Sequence, residues 1–160
     1  MKRAILYAIL LILLFAAGCV TTMKFVNEPI NIQRIIEVTG SKDDLYLLAN
    51  EWMAQTYIAS SHVIQYQDKD EGVIIGRAKT GTKFIGLGTY EFWYNMKIEA
   101  RNDKVRVTLD DVYGKGEVLD VSSTIKPEQM KQKDYDDLMT DFNETIDDLE
   151  AHLLRGLDEW

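Results

Sequence analysis

The hydrophobic and polar positions of this chain change period several times, and each period predicts a kind of element. Residues 30–38 alternate between apolar and polar, which is typical of a half-buried strand, although Arg34 interrupts the apolar row. Ser41 then suits a helix N-cap because acidic residues follow it. Beyond it the apolar residues form one continuous helical stripe: Leu45, Leu48, Ala49, Trp52 and Met53. The pattern predicts a strand followed by an amphipathic helix.

The middle of the chain predicts four more strands, at residues 62–67, 73–80, 90–101 and 104–112. An acidic turn at 68–72, closed by glycine, joins the first two, and Asn102-Asp103 joins the last two. Residues 81–88 contain three glycines and are interpreted as a loop, and residues 114–125 as an irregular crossing. Because strand 90–101 is polar on every second residue, its sheet is expected to be antiparallel and covered on one face.

The end of the chain predicts a long helix, residues 127–160, with Pro127 in its first turn. Its apolar stripe comprises Tyr135, Leu138, Met139, Phe142, Ile146, Leu149, Leu153, Leu157 and Trp160. Such a stripe needs an apolar partner, and the inner face of the sheet offers one. The order β-α-β-β-β-β-α predicts an α+β fold, with an antiparallel sheet of about five strands and two helices packed on one face.

The N-terminus has the pattern of an export signal. Lys2 and Arg3 precede residues 4–17, an apolar run without charge that is shorter than the roughly 20 residues of a spanning helix. Residues 16–19, Ala-Ala-Gly-Cys, resemble the lipobox of bacterial lipoproteins, with alanine where the family usually has leucine. The resemblance implies cleavage before Cys19 and acylation of its thiol. The alternative is an uncleaved apolar anchor.

These features divide the chain into a signal peptide (1–18), a lipidated tether (19–29) and a single α+β domain (30–160). Removing the leader takes away two basic residues and no acid, so the formal net charge moves from −8 to −10. A chain this acidic repels nucleic acid and anionic lipid at long range. The expected partners are the membrane, through acyl chains on Cys19, and an envelope protein. Val20 stands where enterobacterial lipoproteins retained in the inner membrane have aspartate, which favours an outer-membrane location facing the periplasm.

Residues 30–113 resemble a family of small bacterial envelope proteins of unknown function that has a TATA-binding-protein-like, or helix-grip, fold. The resemblance is carried by structural motifs: Ser41-Lys42-Asp43-Asp44-Leu45-Tyr46, Trp52, Val63-Ile64-Gln65-Tyr66-Gln67-Asp68, the Gly72 to Gly76 stretch and the turn at Asn102-Asp103. It implies the fold and no activity, because the family has none assigned and a fold does not specify a function.

The sequence contains no recognisable catalytic or metal-binding set. The two histidines, His62 and His152, have no second ligand at metal spacing. Ser60 and Ser61 beside His62 do not form a nucleophile and base, because neighbours on an extended chain point to opposite sides. The acids of the last helix are explained by a solvated face opposite its apolar stripe. We therefore expect no enzyme activity, cofactor or metal.

Two functional hypotheses follow. The preferred one is a non-catalytic binding or scaffolding module. Its interaction surface would be the exposed loop tip with Phe84, Ile85 and Leu87, the face that carries Trp93, or the long C-terminal helix. Trp93 lies on the polar side of its strand and is either an interface anchor or covered by the last helix. The alternative is a carrier of a small apolar ligand in a helix-grip cavity lined by Trp52, Tyr90, Phe92, Tyr94 and Phe142.

Overall fold

A computed structural model describes residue 26 and residues 28–57 and 63–158. The described chain forms an α+β fold with a six-stranded antiparallel sheet and two α-helices, as the sequence predicts apart from one additional strand. In chain order the elements are β1 (Ile32–Glu37), α1 (Lys42–Thr56), β2 (Val63–Asp68), β3 (Val73–Ile85), β4 (Gly88–Arg101), β5 (Lys104–Val118), β6 (Val121–Ile125), a 3-10 turn (Pro127–Gln129) and α2 (Gln132–Asp158).

Three long strands, β3, β4 and β5, form the centre of the sheet. The strand order is β1-β5-β4-β3-β2, with β6 also paired to β5. β1 pairs with the first half of β5, from Lys104 to Leu109, and β6 pairs with the second half, from Gly114 to Val118. One edge of the sheet therefore consists of two short strands that lie end to end along β5.

The alternation predicted for β4 is confirmed and defines the two faces of the sheet. Every second residue from Tyr90 to Ala100 is buried, and the residues between them are partly exposed. Both helices pack on the buried face, where the ring of Tyr94 meets that of Phe142 of α2 edge-on, with centroids 4.9 Å apart. The opposite face, which carries Trp93, is not covered by either helix.

Local signals place α1 as expected. The Ser41 hydroxyl accepts a hydrogen bond from the backbone N–H of Asp44 at 3.2 Å, and Asp43 and Asp44 lie in the first turn, where acids interact favourably with the helix dipole. The predicted stripe from Leu45 to Met53 is buried. Arg34, which interrupts the apolar row of β1, is accounted for by ion pairs to two acids of α2, Asp147 and, at 3.4 Å, Glu150.

The interpretation of residues 81–88 as a loop is wrong. β3 continues to Ile85 by pairing with β4, and a register shift between Lys79 and Thr82 absorbs the irregularity. Only a two-residue turn then separates the strands, with Gly86 in the left-handed region at φ +62°. The glycines of this stretch do not end the strand, because the pairing with β4 maintains it.

The interpretation of residues 114–125 as an irregular crossing is also wrong. β5 extends to Val118 and turns at Leu119-Asp120 into the unpredicted strand β6. No apolar period was visible because Gly114 and Gly116 occupy inward positions of β5. A Cβ atom at Gly114 would lie 2.9 Å from the Phe92 ring, and one at Gly116 would lie 1.8 Å from the Thr89 carbonyl oxygen, so both sites require glycine.

The start of the last helix differs from the prediction as well. Pro127–Gln129 forms a separate 3-10 turn, and Met130 has extended backbone, so the α-helix begins at Gln132 rather than at residue 127. The side-chain oxygen of Gln129 accepts the backbone N–H of Lys126 at 2.9 Å and closes the turn. Met130 is completely buried, which draws the chain inward before α2 begins.

Candidate functional site

The five residues predicted to line a cavity lie together in the core between the helices and the sheet. Trp52, Tyr90, Phe92, Tyr94 and Phe142 are each at most 5% exposed and belong to one hydrophobic cluster. Tyr90, Phe92 and Phe142 are packed within that cluster. Trp52 and Tyr94 differ from them because one side of each also lines an open cleft at the edge of the sheet.

This cleft has a volume of about 380 Å³ and lies where the end of α1, the middle of α2 and the part of β3 from Lys79 to Gly81 meet. We call it the edge cleft. The residues that line it are Trp52, Thr56, Tyr57, Lys79, Thr80, Gly81, Tyr94, Asp141, Glu144, Thr145 and Asp148. Aromatic rings form its inner wall and carboxylates of α2 its rim, so it presents apolar and polar surface side by side.

Hydrogen bonds hold the polar groups of the edge cleft in place. The indole N–H of Trp52 donates to the Asp148 carboxylate at 2.8 Å, and the hydroxyls of Tyr57 and Tyr94 lie 3.2 Å apart. Burial, reinforced by Tyr94, raises the pKa of Tyr57 well above its usual range. Burial likewise raises the pKa of Tyr94 against the lowering effect of its hydrogen bonds. Both phenols stay protonated at neutral pH and suit hydrogen bonding rather than proton abstraction.

The uncovered face of the sheet carries a second group of aromatic residues. The ammonium groups of Lys79 and Lys115 lie 5.8 and 5.7 Å from the centroid of the Trp93 ring. Tyr113, opposite Trp93 on β5, has the Lys115 ammonium at 5.4 Å and the Arg77 guanidinium at 5.1 Å. We call these five residues the aromatic strip. Since α2 packs on the other face, it does not cover Trp93.

The exposed apolar residues of the predicted loop lie at the tip of the β3–β4 hairpin. Phe84 is 84% and Leu87 80% exposed, while Ile85 is partly buried and packs against the core. The β5–β6 hairpin ends beside it, because Gly88 pairs with Val118. That tip exposes Leu119 (77%) and Val121 (66%), which local sequence patterns do not indicate because residues 114–125 show no strand period. We call the four exposed residues, Phe84, Leu87, Leu119 and Val121, the apolar tips.

A comparison with protein-family models identifies the family of this chain. Residues 33–114, just over half of the chain, match the family described as a domain of unknown function (DUF4468) with TBP-like fold. The chain belongs to the DUF4468 family. The match covers nearly the same residues as the resemblance inferred from the sequence, and it confirms a family of unknown function with a TATA-binding-protein-like fold.

Solved structures support the fold of this DUF4468 member. A DUF4468 family protein from Bacteroides ovatus superimposes with a TM-score of 0.56 at 12% identity, covering 88% of this chain and 93% of that one. A TBP-like protein from Parabacteroides distasonis superimposes with a TM-score of 0.54 at 16% identity, covering 65% of this chain and 69% of that one. At such low identity these likenesses show the fold alone. No curated protein matches the chain significantly.

The remaining candidates lie elsewhere or outside the described residues. His152 is partly buried on α2, and Cys19, His62, the serines before it and Trp160 lie outside the described part of the chain. In the part that the structure describes, no three potential metal ligands come together. Neither helix of residues 28–57 and 63–158 is long and apolar enough to cross a bilayer. The DUF4468 chain thus offers three surfaces to consider: the edge cleft, the aromatic strip and the apolar tips.

Proposed function

We propose that this DUF4468 protein is a lipoprotein anchored through acylated Cys19, with its domain facing the periplasm at the outer membrane. In this proposal it acts as a non-catalytic binding or scaffolding module. The leader pattern and the lipobox-like residues 16–19 support the anchor. The absence of an acidic residue at position 20 supports the outer-membrane location.

The single observation that carries the binding role is the aromatic strip. Tryptophan, tyrosine and arginine are the residue types that most often dominate the energy of protein interfaces. Here Trp93 and Tyr113 lie side by side on a broad antiparallel face that neither helix covers. The cations of Arg77, Lys79 and Lys115 lie within about 6 Å of the ring centroids, a distance at which cation–π attraction favours this arrangement of the contact surface.

The charge of the aromatic strip indicates the kind of partner. The chain has a net charge of −8, yet the strip places three cations around two rings. Lys79 and Arg77 each have an acid nearby, Glu91 at 2.8 Å and Asp111 at 3.7 Å. Because these acids accompany the cations, the strip is a mixed-charge surface around two rings, and a partner with apolar groups flanked by both signs of charge would complement it. We therefore propose an envelope protein with such a mixed contact patch as the partner.

The anchor is tested by metabolic labelling with palmitate. We expect the label in the wild-type protein and not in Cys19→Ser, since the thiol is the only acylation site of that kind that the chain contains. Equal labelling of both proteins would exclude Cys19 as the acylated residue. Detection of a native product that begins at Met1 would favour the uncleaved anchor instead.

The binding role is tested by crosslinking in intact envelopes followed by purification of the complex. We expect a specific partner with the wild-type protein and at least about tenfold less of it with Trp93→Ala, the loss typical of an interface hot spot. Leu154→Ala is the matched control, because Leu154 is exposed on α2, away from the strip. Equal recovery from both variants would refute the assignment of the strip.

A second candidate function, a carrier of a small apolar ligand, is favoured by the edge cleft. Its volume of about 380 Å³ and its lining by Trp52 and Tyr94 fit part of the predicted ligand-binding set. Gly81 lines the cleft, and none of the described residues beyond its chain neighbours has an atom within 4 Å of its Cβ position, so Gly81→Leu should reduce the cleft volume. Native mass spectrometry would reveal a copurified small molecule in the wild type that Gly81→Leu excludes. A ligand-free wild type from native envelopes would dismiss this alternative.

A further inference from the structure

The apolar tips expose four hydrophobic side chains at one end of the sheet. Two hairpins contribute to it, and the pairing of Gly88 with Val118 fixes them side by side. Isolated apolar residues on a surface need no explanation, but a contiguous group indicates a contact with a partner or a membrane. These tips are distinct from the aromatic strip, which lies in the middle of one face of the sheet.

The backbone at the second tip strengthens this argument. Leu119 and Asp120 both have positive φ, 48° and 64°, as the central residues of a two-residue hairpin turn. Such turns favour asparagine, aspartate or glycine, and a leucine in the left-handed region is disfavoured. Leu119 is also largely exposed, so packing within the described chain does not compensate for the strain. A strained and exposed leucine indicates a contact outside the domain.

The distribution of the apolar tips indicates what kind of surface they contact. Lys83 and Ile85 point to the helix side of the sheet, since Lys83 pairs with Asp141 of α2 and Ile85 packs on the core, so Phe84 points to the opposite side. Val121 pairs with Val118, which also packs on the core, and so lies on the helix side. Apolar groups therefore surround the end of the sheet. A flat protein surface would contact one side of it, whereas an apolar medium contacts all sides.

The start of the described chain is compatible with a membrane at this end. The backbone N–H of Val26 donates to the Met130 carbonyl at 3.2 Å, which fixes where the tether meets the domain. Residues 19–25 between the anchor and that point extend at most about 25 Å. Val121 lies about 13 Å from Ile125 along β6, and Met130 follows after the short 3-10 turn. A fully extended tether of that length exceeds the length of β6, the strand that leads from the apolar tips back to Ile125.

We propose that the apolar tips rest in the interfacial layer of the same bilayer that holds acylated Cys19. This inference rests on the proposed anchoring and adds an orientation to it: the tips face the lipid, and the aromatic strip stands clear of the membrane. The insertion is shallow, because Asp120 and Glu117 next to the tips stay at the level of the headgroups. The net charge of −8 disfavours anionic lipid, so the matching surface is zwitterionic.

The position of the tips is tested with a fluorescent thiol label on the acylated protein in phosphatidylcholine vesicles. Cys19 is the only cysteine and is blocked by acylation, so Leu87→Cys provides a single reactive thiol at a largely exposed site. Lys69→Cys, exposed in the β2–β3 turn at the other end of the sheet, is the matched control. We expect brominated acyl chains to quench the label at 87 several-fold more strongly than the label at 69.

Each other outcome has a defined meaning. Equal quenching at positions 87 and 69 would overturn the contact with the bilayer. Crosslinking from position 87 to another protein, or to a second copy of this chain, would also overturn it and would identify the occupant of the tips. If palmitate does not label Cys19, the same comparison is made on Leu87→Cys in a Cys19→Ser background. Lipid quenching at 87 there would uphold the tip contact although the anchor had failed, and its absence would refute it.

Discussion

The two ends of the sheet are built in opposite ways. At the end where α1 begins, side-chain oxygens accept backbone N–H groups: Asp68 binds Glu71 at 2.9 Å, Asn102 binds Lys42 at 2.9 Å, and Asp103 binds Gly40 at 3.1 Å. At the other end the two hairpins expose the apolar tips. At the first end, side chains of the turn residues hydrogen-bond to backbone N–H groups of the domain. At the second end, side chains of the turn residues are exposed to solvent. Mutations should therefore affect stability at the first end and contact at the second.

Two residues with the same backbone conformation, one at each end of the sheet, show this difference. Asp103 and Leu119 both have positive φ in a two-residue turn, 62° and 48°. Aspartate tolerates this conformation, and its carboxylate also accepts the Gly40 N–H. Leucine gains nothing comparable from the described chain. The first turn is optimised for folding, and the second retains a residue that folding alone does not favour.

The largest expected effect compares two glycines with nearly the same φ, Gly72 at +65° and Gly86 at +62°. A Cβ at Gly72 would lie 2.6 Å from the backbone oxygen of Ala100, whereas one at Gly86 would meet no atom of the described residues within 4 Å. We expect Gly72→Ala to lower the free energy of unfolding by about 2–4 kcal/mol and Gly86→Ala by about 1 kcal/mol. Urea unfolding of both variants measures the difference. Similar losses would show that the two ends are equally tolerant.

The next effect has the opposite sign. Leu119→Asn should raise the free energy of unfolding by about 0.5–1 kcal/mol, because asparagine relieves the left-handed strain. The reciprocal change, Asp103→Leu, should lower it by about 2 kcal/mol, since it adds that strain and removes the bond to Gly40. Urea unfolding midpoints again provide the measurement. A loss of stability in Leu119→Asn would mean that Leu119 packs within the protein after all.

A smaller effect concerns the pH dependence of the polar end. The hydrogen bond from the Glu71 backbone, followed by that from the Tyr66 hydroxyl, lowers the pKa of Asp68. Asp68 therefore stabilises the fold above its unfolded pKa of about 4, and this contribution is lost as the pH falls through its lower folded pKa. The difference in unfolding midpoint between wild type and Asp68→Asn should be constant near neutrality. It should shrink towards zero as the solution becomes acidic. A difference independent of pH would refute the role of the carboxylate.

The sequence predicts those parts of the fold in which the polarity of each side chain matches its burial or exposure. The stripe of α1 and the alternation of β4 were correct because each residue there is either buried or exposed in turn. The second half of β5 was missed because Gly114 and Gly116 have no side chain to show which face they occupy. The glycine-containing end of β3 was missed because its pairing with β4 is a long-range property, invisible to any local window.

The candidate surfaces were predictable to different degrees for the same reason. The exposed positions of Phe84 and Leu87 followed from local composition, and their role as a contact surface stays a prediction. The edge cleft combines Thr56, Gly81 and Asp148, three positions far apart in sequence, so no local pattern indicates it. The aromatic strip depends on the strand register that places Trp93 opposite Tyr113, and a register shift next to Trp93 hides that pairing from the sequence.

The smallest expected effect on stability concerns the exposed side chains of the apolar tips. Phe84→Ser and Leu87→Ser should each change the free energy of unfolding by no more than about 0.5 kcal/mol, because both side chains are already largely exposed in the folded protein. The same variants should weaken the proposed contact between the apolar tips and the bilayer. Ile85→Ser, in the same hairpin but packed against the core, is the control and should destabilise the fold by more than either. If Phe84→Ser or Leu87→Ser unfolded as readily as Ile85→Ser, these side chains would be core residues, and the contrast between the two ends of the sheet would no longer hold.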